Sequence, residues 1–351
     1  MTKARENSDY TGLQGDLAGL QTNITAGDTA ARAGRKNLII NGSMQVSQRV
    51  GTTSTVANNY GATPDRIRQE AYGAATASWQ QVTDAPAGFK NSLKVTCAGT
   101  ALPSSGNTLR LMTGLEGQDI THLEYGTAQA KTATLSFYVK ASETGIYSTA
   151  LVNIAPSGDI ASNVNRSHIK TYTIDSANTW EYKTLTFSGC PDGTWGSSNS
   201  NGITIVFDLG SGSNHQGAKD SWLTTSDTFA AGQVSLGDSN GGSWQMTGLQ
   251  FELGSVATDF EQQSYGEILA DCQRYYEIGI SGSGSRNSDN YGVSAGQYKV
   301  TKRASPTLTM IAGDAALVGF YRRNIDGFVT HSQAQSVSHG HNFTYSAEAE
   351  L

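Results

Sequence analysis

The 351-residue sequence carries little charge, since Asp, Glu, Lys and Arg make up only 15% of it, against about 25% in an average globular protein. Forty glycines and many serines, threonines and asparagines stand in place of charged residues. A net charge of -6 without a basic run argues against nucleic-acid binding. We therefore expect a surface that is polar but mostly uncharged.

Cysteine and long apolar runs are also scarce. Cys97, Cys190 and Cys272 are odd in number and lack CxxC spacing, so we expect buried thiols rather than a disulfide framework or a zinc site. Such thiols imply synthesis in a reducing cytoplasm.

No apolar stretch approaches the ~18 residues that span a bilayer, and residues 1–30 lack the apolar core of a signal peptide. The sequence predicts no membrane insertion.

The first 36 residues differ from the rest of the chain. Their apolar residues alternate three and four positions apart, as in the seam of a short coiled coil. The seam consists of Tyr10, Leu13, Leu17, Leu20 and Ile24. Three glycines within it each cost about 0.8–1 kcal/mol of helix propensity, so we expect a helix that needs partner chains. The alternative is a single amphipathic helix lying on its own domain.

Residues 37–262 change to an alternation of period two, with turn residues every roughly 8–12 positions. About ten short strands without a long helix between them predict an antiparallel β-sandwich. In Ala133–Ala141, for example, Leu135, Phe137 and Val139 share the face that should pack inward. The predicted strands are Leu38–Ile40, Ala77–Thr83, Ser92–Ala98, Thr108–Thr113, Ala133–Ala141, Ser148–Ile154, Ile169–Ile174, Glu181–Ser188, Gly202–Leu209 and Gln245–Leu253.

Residues 263–351 predict a helix followed by a smaller unit, which makes this part α+β. Ser264 followed by Glu267 fits a capping box for a helix over 264–277, with Tyr275 and Tyr276 on its apolar stripe. Five further strands are predicted over Tyr291–Val300, Thr307–Ala312, Val318–Tyr321, Gly327–Val329 and Asn342–Ala347. We thus expect a chain that is mainly β, with an N-terminal helix, a sandwich, a linking helix and a small C-terminal domain.

Four segments together resemble a known family. Asn37–Arg49, followed by Thr63–Arg66 (Thr-Pro-Asp-Arg), resembles the start of a jelly-roll module in tail fibres of marine and aquatic bacteriophages. Trp244–Glu261 is similar to the closing strand of that module, Tyr265–Tyr276 to the helix after it, and Phe343–Leu351 to the C-terminal strand of the family. Where such modules often place Trp after Asp-Arg, this chain has Ile67.

The resemblance implies a virion fibre or receptor-binding protein whose jelly roll is related to carbohydrate-binding modules. It implies a homotrimer, assembled in the host cytoplasm, that binds the phage tail or another virion protein through its N-terminus. The expected partner outside the virion is a host surface polysaccharide. Two other functions stay open: a head-fibre, decoration or tail-adaptor subunit without a receptor role, and a polysaccharide depolymerase.

Metalloprotease, P-loop and dinucleotide-binding signatures are missing from the sequence. HExxH, P-loop and GxGxxG motifs do not occur, and the glycines of residues 279–284 are spaced as a flexible turn. Two groups of carboxylates are expected at strand ends and turns, with a structural calcium site or a glycosidase pair as alternatives. They are Glu116, Asp119 and Glu124, and Glu252, Asp259 and Glu261. We expect a protein without enzymatic activity.

Aromatic residues are the main candidates for glycan binding. Trp195 and Trp222 lie in turn-rich stretches, where an exposed indole could stack on a sugar; alternatively, the rings fold back and plug the edge of the sandwich. Tyr291, Tyr321 and Arg322 offer further aromatic and guanidinium groups near loops, or are solvated strand ends. An uncharged surface should bind neutral sugars by stacking and hydrogen bonding.

A pair of histidines is a weak candidate for a metal site. His339 and His341 share one face of an extended segment, so that six imidazoles could surround one metal on a threefold axis. Fibres of T-even phages resemble this in using His-x-His on their axis. Exposed loop histidines are the alternative, and we expect no cofactor.

The glycine-weakened seam yields a prediction about assembly. The full chain should be a trimer in light scattering, because residues 10–24 gain a helix only when several chains share the seam. Deleting residues 1–30 should dissociate it. A monomeric full-length chain would contradict the predicted trimer, whereas trimers that survive the deletion would move the interface to the sandwich or the C-terminal unit.

Overall fold

The computed structural model describes residues 35–54, 64–73, 76–98, 104–153, 166–284, 292–313, 317–332 and 340–351. The predicted N-terminal seam, Tyr291 and His339 lie outside these residues. Where the chain is described, none of its helices is long and apolar enough to span a membrane.

The central part of the chain forms two antiparallel sheets. Their strands are β1 (Arg68–Tyr72), β2 (Thr76–Val82), β3 (Ser92–Ala98), β4 (Thr108–Glu116), β5 (Ala133–Ala141), β6 (Gly145–Asn153), β7 (Arg166–Ile174), β8 (Glu181–Phe187), β9 (Asn201–Asp208), β10 (Trp222–Leu223) and β11 (Ser243–Leu253). One sheet has the order β1-β4-β9-β6-β7-β10 and the other β2-β3-β11-β5-β8. A short helix α1 (Gly117–Ile120) and 3-10 turns at Thr121–Leu123, Ser213–His215 and Leu236–Asp238 lie between strands. The predicted antiparallel, mainly β fold is confirmed.

The core of the sandwich consists of the side chains that alternate inward from both sheets. Trp79, Phe137, Phe207 and Trp244 are all buried there. The inward face predicted for β5 is confirmed, since its Leu135, Phe137 and Val139 are fully buried. The opposite face meets water only in part, because Tyr138 is half-buried whereas Thr134 and Ser136 are buried. The three cysteines are buried free thiols, and burial raises the pKa of Cys97 to about 11.

A second apolar layer covers the outer face of the six-stranded sheet. The segment 210–236 crosses this face and places Ala230 against Val152, Ile169 and Val206. Thr228, on the same segment, donates its hydroxyl hydrogen bond to the buried Asp208 at 2.7 Å. The central part of this sheet is therefore covered on both faces, whereas Tyr72 on its edge strand β1 is exposed.

The segment Leu38–Ile40 is not a strand, contrary to the prediction. The Asn37 side chain takes the place of a ladder partner: its Oδ1 accepts from the backbone N–H of Ile39 at 3.0 Å and of Phe251 at 3.1 Å. Its Nδ2 also donates to the Leu249 carbonyl at 3.0 Å. These side-chain hydrogen bonds, with one backbone bond of 2.9 Å from the Leu38 N–H to the Phe251 carbonyl, join this segment to the sheet in an irregular conformation.

The C-terminal part contains a helix and two three-stranded sheets. Helix α2 (Tyr265–Gln273) begins with the predicted capping box, in which Ser264 and Glu267 exchange hydrogen bonds. The sheets have the orders β12-β17-β14 and β13-β16-β15. Their strands are β12 (Tyr276–Gly284), β13 (Gly292–Gln297), β14 (Thr307–Gly313), β15 (Leu317–Arg323), β16 (Gly327–Ser332) and β17 (Gly340–Glu348). An aromatic core with Tyr298, Phe328, Phe343 and Tyr345 connects the two sheets.

Two predictions for this part are wrong. The helix ends at Gln273 instead of reaching residue 277, and the glycines of residues 279–284 belong to strand β12 rather than to a flexible turn. Close packing explains one of these glycines, because a Cβ on Gly279 would lie 2.4 Å from the Tyr345 hydroxyl oxygen. The boundary at residue 262 stays a prediction.

Buried ion pairs join the C-terminal part to the sandwich. Arg66 pairs with Glu350, and its guanidinium carbon lies 3.4 Å from the centre of the Tyr275 ring. Arg49 repeats the arrangement, since it lies 3.8 Å above the Tyr276 ring. It pairs with Glu350, whose side chain is buried, at 3.2 Å and with the half-buried Glu348 at 2.8 Å. The prediction that Tyr275 and Tyr276 belong to the apolar stripe of the helix is therefore wrong. Both residues follow α2 and pack against the arginines of this junction.

A third group completes this junction. Glu116, at the end of β4, accepts two hydrogen bonds of 2.9 Å from Arg274 and one of 2.5 Å from the Tyr275 hydroxyl. Glu116 is buried, so these donors replace the water that its carboxylate loses. Farther from the sandwich, Lys302 and Glu277 form a buried pair at 2.7 Å.

The junction predicts a large loss of stability when Glu350 is removed. Glu350→Ala leaves Arg66 buried without this partner, and breaking such a pair costs about 3–5 kcal/mol. The free energy of unfolding should fall by that amount in urea titrations. Asp238→Ala is the control, because Asp238 is exposed and forms no ion pair among the described residues. Equal stability of the two variants would contradict a junction held by charge.

Candidate functional site

The structure brings the two predicted tryptophans together at one end of the sandwich. The Trp195 and Trp222 ring centroids lie 5.6 Å apart, and each ring meets the Tyr125 ring edge-to-face, at 4.9 and 5.8 Å respectively. Trp222 lies on β10, whereas Trp195 follows the turn Cys-Pro-Asp-Gly after β8. The three rings form one cluster, and edge-to-face pairs of this kind contribute about 0.5–1.5 kcal/mol each.

Both tryptophans are half-buried, and their indole N–H groups are engaged. The Trp195 N–H donates to the Asp192 carbonyl at 3.0 Å, and the Trp222 N–H donates to the Ser188 carbonyl at 2.9 Å. Both rings also pack against the main core, as the plug alternative predicted. A ligand can therefore contact these rings only through the exposed parts of their carbon frames.

A cleft of about 330 Å³ lies beside Trp195. Its walls combine aromatic carbon with hydroxyl and amide groups, and Trp222 is not among them. The lining residues are Ile120, Thr121, Glu124, Tyr125, Thr127, Gln129, Trp195, Gly196 and Ser197. The only charged side chain is Glu124, which pairs with Lys131 at 2.6 Å. The cleft thus offers an apolar wall and several uncharged hydrogen-bonding groups.

The tight course of the backbone shapes this cleft. Gly126 has a φ of +85°, and a Cβ there would lie 3.0 Å from the Trp195 ring. Gly196 likewise leaves no room for a side chain, since its Cβ would lie 2.8 Å from the Asn201 carbonyl oxygen. Two glycines therefore allow Trp195 to pack closely against the turn that carries Tyr125.

A buried histidine lies beneath the tryptophans. His168 is only 1% exposed, and its ring packs edge-on between Phe187 at 5.2 Å and Trp222 at 5.0 Å. Neither ring nitrogen has a hydrogen-bond partner among the described residues. The pKa of His168 is lowered to about 4. Burial is the largest cause and the Lys170 charge is the second, while the Asp220 charge acts in the opposite direction. The imidazole is therefore neutral near pH 7.

The other predicted site residues that the structure describes, Tyr321, Arg322 and His341, are not among the residues that line this cleft. Arg322 is exposed on β15 and lines a separate open cavity of about 930 Å³, together with Phe320, Arg323 and Asp326. Tyr321 lies next to Arg322 on the same strand, and His341 lies on β17. The cavity that Arg322 lines therefore shares no residue with the tryptophan cluster.

The predicted carboxylate groups have structural partners. Besides Glu116, Glu252 accepts from the Thr258 hydroxyl at 2.6 Å, and Glu261 accepts from the Asn37 backbone N–H at 2.6 Å. Asp119 lines a third cleft of about 300 Å³ with Arg35 and His122. Burial, and secondly the Glu116 charge, raise the pKa of Asp119. In the described part of the chain, no three His, Cys, Asp or Glu residues are placed to hold a metal ion.

Comparisons with known proteins found solved structures of low similarity. No family model and no curated protein matches the sequence. The enzymatically active domain of Bacteriophage CBA120 tailspike protein 4 is 15% identical, with a TM-score of 0.32, over 62% of this chain and 21% of the tailspike. The chain thus spans about a fifth of that protein.

Carbohydrate-binding modules are similar at the same level. The family 11 module of a cellulosomal cellulase of Clostridium thermocellum is 11% identical, with a TM-score of 0.30, over 60% of this chain and 99% of the module. A Clostridium thermocellum xylanase fragment, solved with xylohexaose, is 10% identical, with a TM-score of 0.29, over 62% of this chain and 30% of the fragment. Scores this low assign neither a family nor a ligand to the chain.

The buried imidazole predicts a pH dependence of stability. The unfolded chain takes up a proton at His168 near pH 6.5, but the folded chain does so only near pH 4. Stability must therefore fall as the pH drops through this window, by up to about 3 kcal/mol. Urea titrations at pH 7 and pH 4.5 should show a smaller decrease for His168→Leu than for the parent chain. Equal decreases would mean that His168 does not carry the dependence.

Proposed function

We propose that this chain is a bacteriophage fibre protein that attaches the virion to its host by binding a surface glycan. The observation that carries the proposal is the cleft beside Trp195, where residues from two separate turns provide an aromatic wall and uncharged hydrogen-bonding groups. In this proposal the protein resides on the virion as a homotrimer and binds the tail through residues 1–36.

The chemistry of the cleft suits a neutral sugar. Pyranose rings present C–H faces to an aromatic wall and hydroxyls to polar groups, which here are Thr127, Gln129 and Ser197. A volume of about 330 Å³ lies at the low end of ligand pockets, so one or two sugar units would fit. The lining contains no Lys, Arg or His side chain, and the neighbouring Lys131 is paired with Glu124, so the cleft provides no unpaired cation for an acidic sugar.

The same geometry supports binding without hydrolysis. Glycosidases generally require two carboxyl groups on either side of the scissile bond. The cleft has only Glu124, and the buried Glu116 is held by Arg274 and Tyr275. A fibre that keeps its receptor intact can bind it repeatedly.

Multivalency would compensate for a weak single site. Stacking on one half-buried ring and a few hydrogen bonds correspond to Kd values on the order of millimolar to high micromolar. Three chains in a fibre, and several fibres on a virion, would raise the apparent affinity by factors of about 10²–10⁴. This explains how a shallow cleft could support stable adsorption.

Replacing Trp195 tests the proposed function. Trp195→Ala should weaken binding to host-derived oligosaccharides at least about tenfold, since it removes the aromatic wall. Gln129→Ala, at an exposed position on the other wall, should weaken binding without a change in the melting temperature. The control is Tyr265→Ala, because Tyr265 is 55% exposed and lies outside the cleft. Binding, measured by calorimetry, that is unchanged in both cleft variants would exclude this cleft as the site.

A second measurement tests for enzymatic activity separately from binding. Incubating the parent chain with isolated host polysaccharide should release no reducing ends. Release of reducing ends would instead favour the depolymerase, and Glu124→Gln would then show whether the cleft carries that activity.

A further inference from the structure

The outer face of the five-stranded sheet carries a row of aromatic rings that is separate from the Trp195 cleft. Tyr182 contacts Tyr138 at 4.9 Å between ring centroids, Tyr138 contacts Phe89 at 5.5 Å, and Phe89 contacts Phe260 at 5.0 Å. Tyr182 is 47% exposed, and the other three rings are half-buried. The row crosses the sheet from its edge strand β8 over β5 toward β11.

Strand register and one glycine determine where the rings of this row lie. Tyr138 and Tyr182 are direct partners on neighbouring strands, so their rings lie side by side on one face. The pairing of β11 with β5 is interrupted between Thr247 and Gln250, where Gly248 adopts a φ of +63°. A Cβ on Gly248 would lie 2.7 Å from Phe89, so the absence of a side chain there makes room for this ring.

A second row, made of polar side chains, runs parallel to the rings across four strands. Gln80 pairs in register with Lys94, Lys94 with Gln245, and Gln245 with Lys140. At its end Lys140 pairs with Asp84 and lies 5.1 Å from the centre of the Trp180 ring. On the other side of Tyr182, two residues along β8, Thr184 is exposed. Gln245 is buried, but Gln80 and Lys94 are half-buried, so these two residues on one side and Thr184 on the other provide hydrogen-bonding groups beside the rings.

We infer that this face binds an extended polysaccharide chain along the aromatic row. The rings lie about 5 Å apart between centroids and are tilted by 48–69° to one another, so Tyr182 offers a stacking face and the three half-buried rings offer their exposed parts to successive sugar units. The flanking polar side chains donate to and accept from the sugar hydroxyls. A protein partner fits less well, because stable protein interfaces bury at least about 1,000 Å² around an apolar centre. Here only Tyr182 among the four rings is strongly exposed.

The inference goes beyond the proposed function, because it concerns a different surface and a longer ligand. The cleft beside Trp195 accommodates the end or a side branch of a glycan, whereas the row follows the main chain. The two sites share no residue, so variants can separate them.

Affinity electrophoresis of the full chain tests the inference, in gels that contain linear β-1,3-glucan, β-1,4-xylan, mixed-linked β-glucan or alginate. At least one of these polymers should retard the parent chain. Tyr182→Ala should weaken this retardation at least fivefold, and Tyr182→Phe, which keeps the ring, should largely restore it. Tyr72→Ala is the matched control, because Tyr72 is 70% exposed on an edge strand of the other sheet. Trp195→Ala should leave the retardation in place.

Three results would overturn the inference. The first is a parent chain that none of the polymers retards, and the second is a Tyr182→Ala variant retarded like the parent. The third is a Tyr182→Ala variant that dissociates in sedimentation experiments, because the row would then be an interface between copies of the chain. Thermal melts of each variant confirm folding, and Lys94→Ala in the flanking row should reduce retardation without changing the rings. Loss of oligosaccharide binding in Trp195→Ala alone concerns only the proposed function.

Discussion

The buried ion pair between Arg66 and Glu350 connects parts of the sequence that are 284 residues apart. Arg66 stacks on Tyr275 and donates to the Gly114 carbonyl at 2.8 Å, so one guanidinium contacts the sandwich, the segment after α2 and the C-terminus. Burial of a charge is unfavourable without such partners. The pair therefore favours one arrangement of the two parts, and its formation requires the chain to be folded nearly to its last residue.

This junction gives a physical reason for the sequence motifs at the start and end of the chain. Asn41 has a φ of +61° and donates to the carbonyls of Val46 and Asp65, both at 2.9 Å. It thereby fixes the loop from which Arg49 and Arg66 extend. The resemblance assigned these residues to a family module, but it could not show that they hold two parts of the structure together. Their role depends on partners that are distant in sequence.

The sequence predicted strands well where one face of a strand is apolar, as in β5. It failed at Leu38–Ile40, where the Asn37 side chain replaces a backbone partner, and at β12, whose glycines pack against Tyr345. Likewise, composition and turns indicated Trp195 and Trp222, but not that Tyr125 would join them. His168 gave no signal, because nothing in a single strand shows that an imidazole is buried. Local patterns report on neighbours in sequence, whereas these features arise from register and packing.

The two sheets of the sandwich differ in what their outer faces can bind. On the six-stranded sheet, the segment 210–236 covers the face with Ala230 and with polar groups that hydrogen-bond to Asp208. A ligand there would have to displace a packed layer of the protein itself. On the five-stranded sheet, the bulge at Gly248 seats Phe89 instead, and the rings up to Tyr182 stay partly accessible. The course of two loops, rather than the sandwich itself, therefore determines which surfaces are available to a glycan.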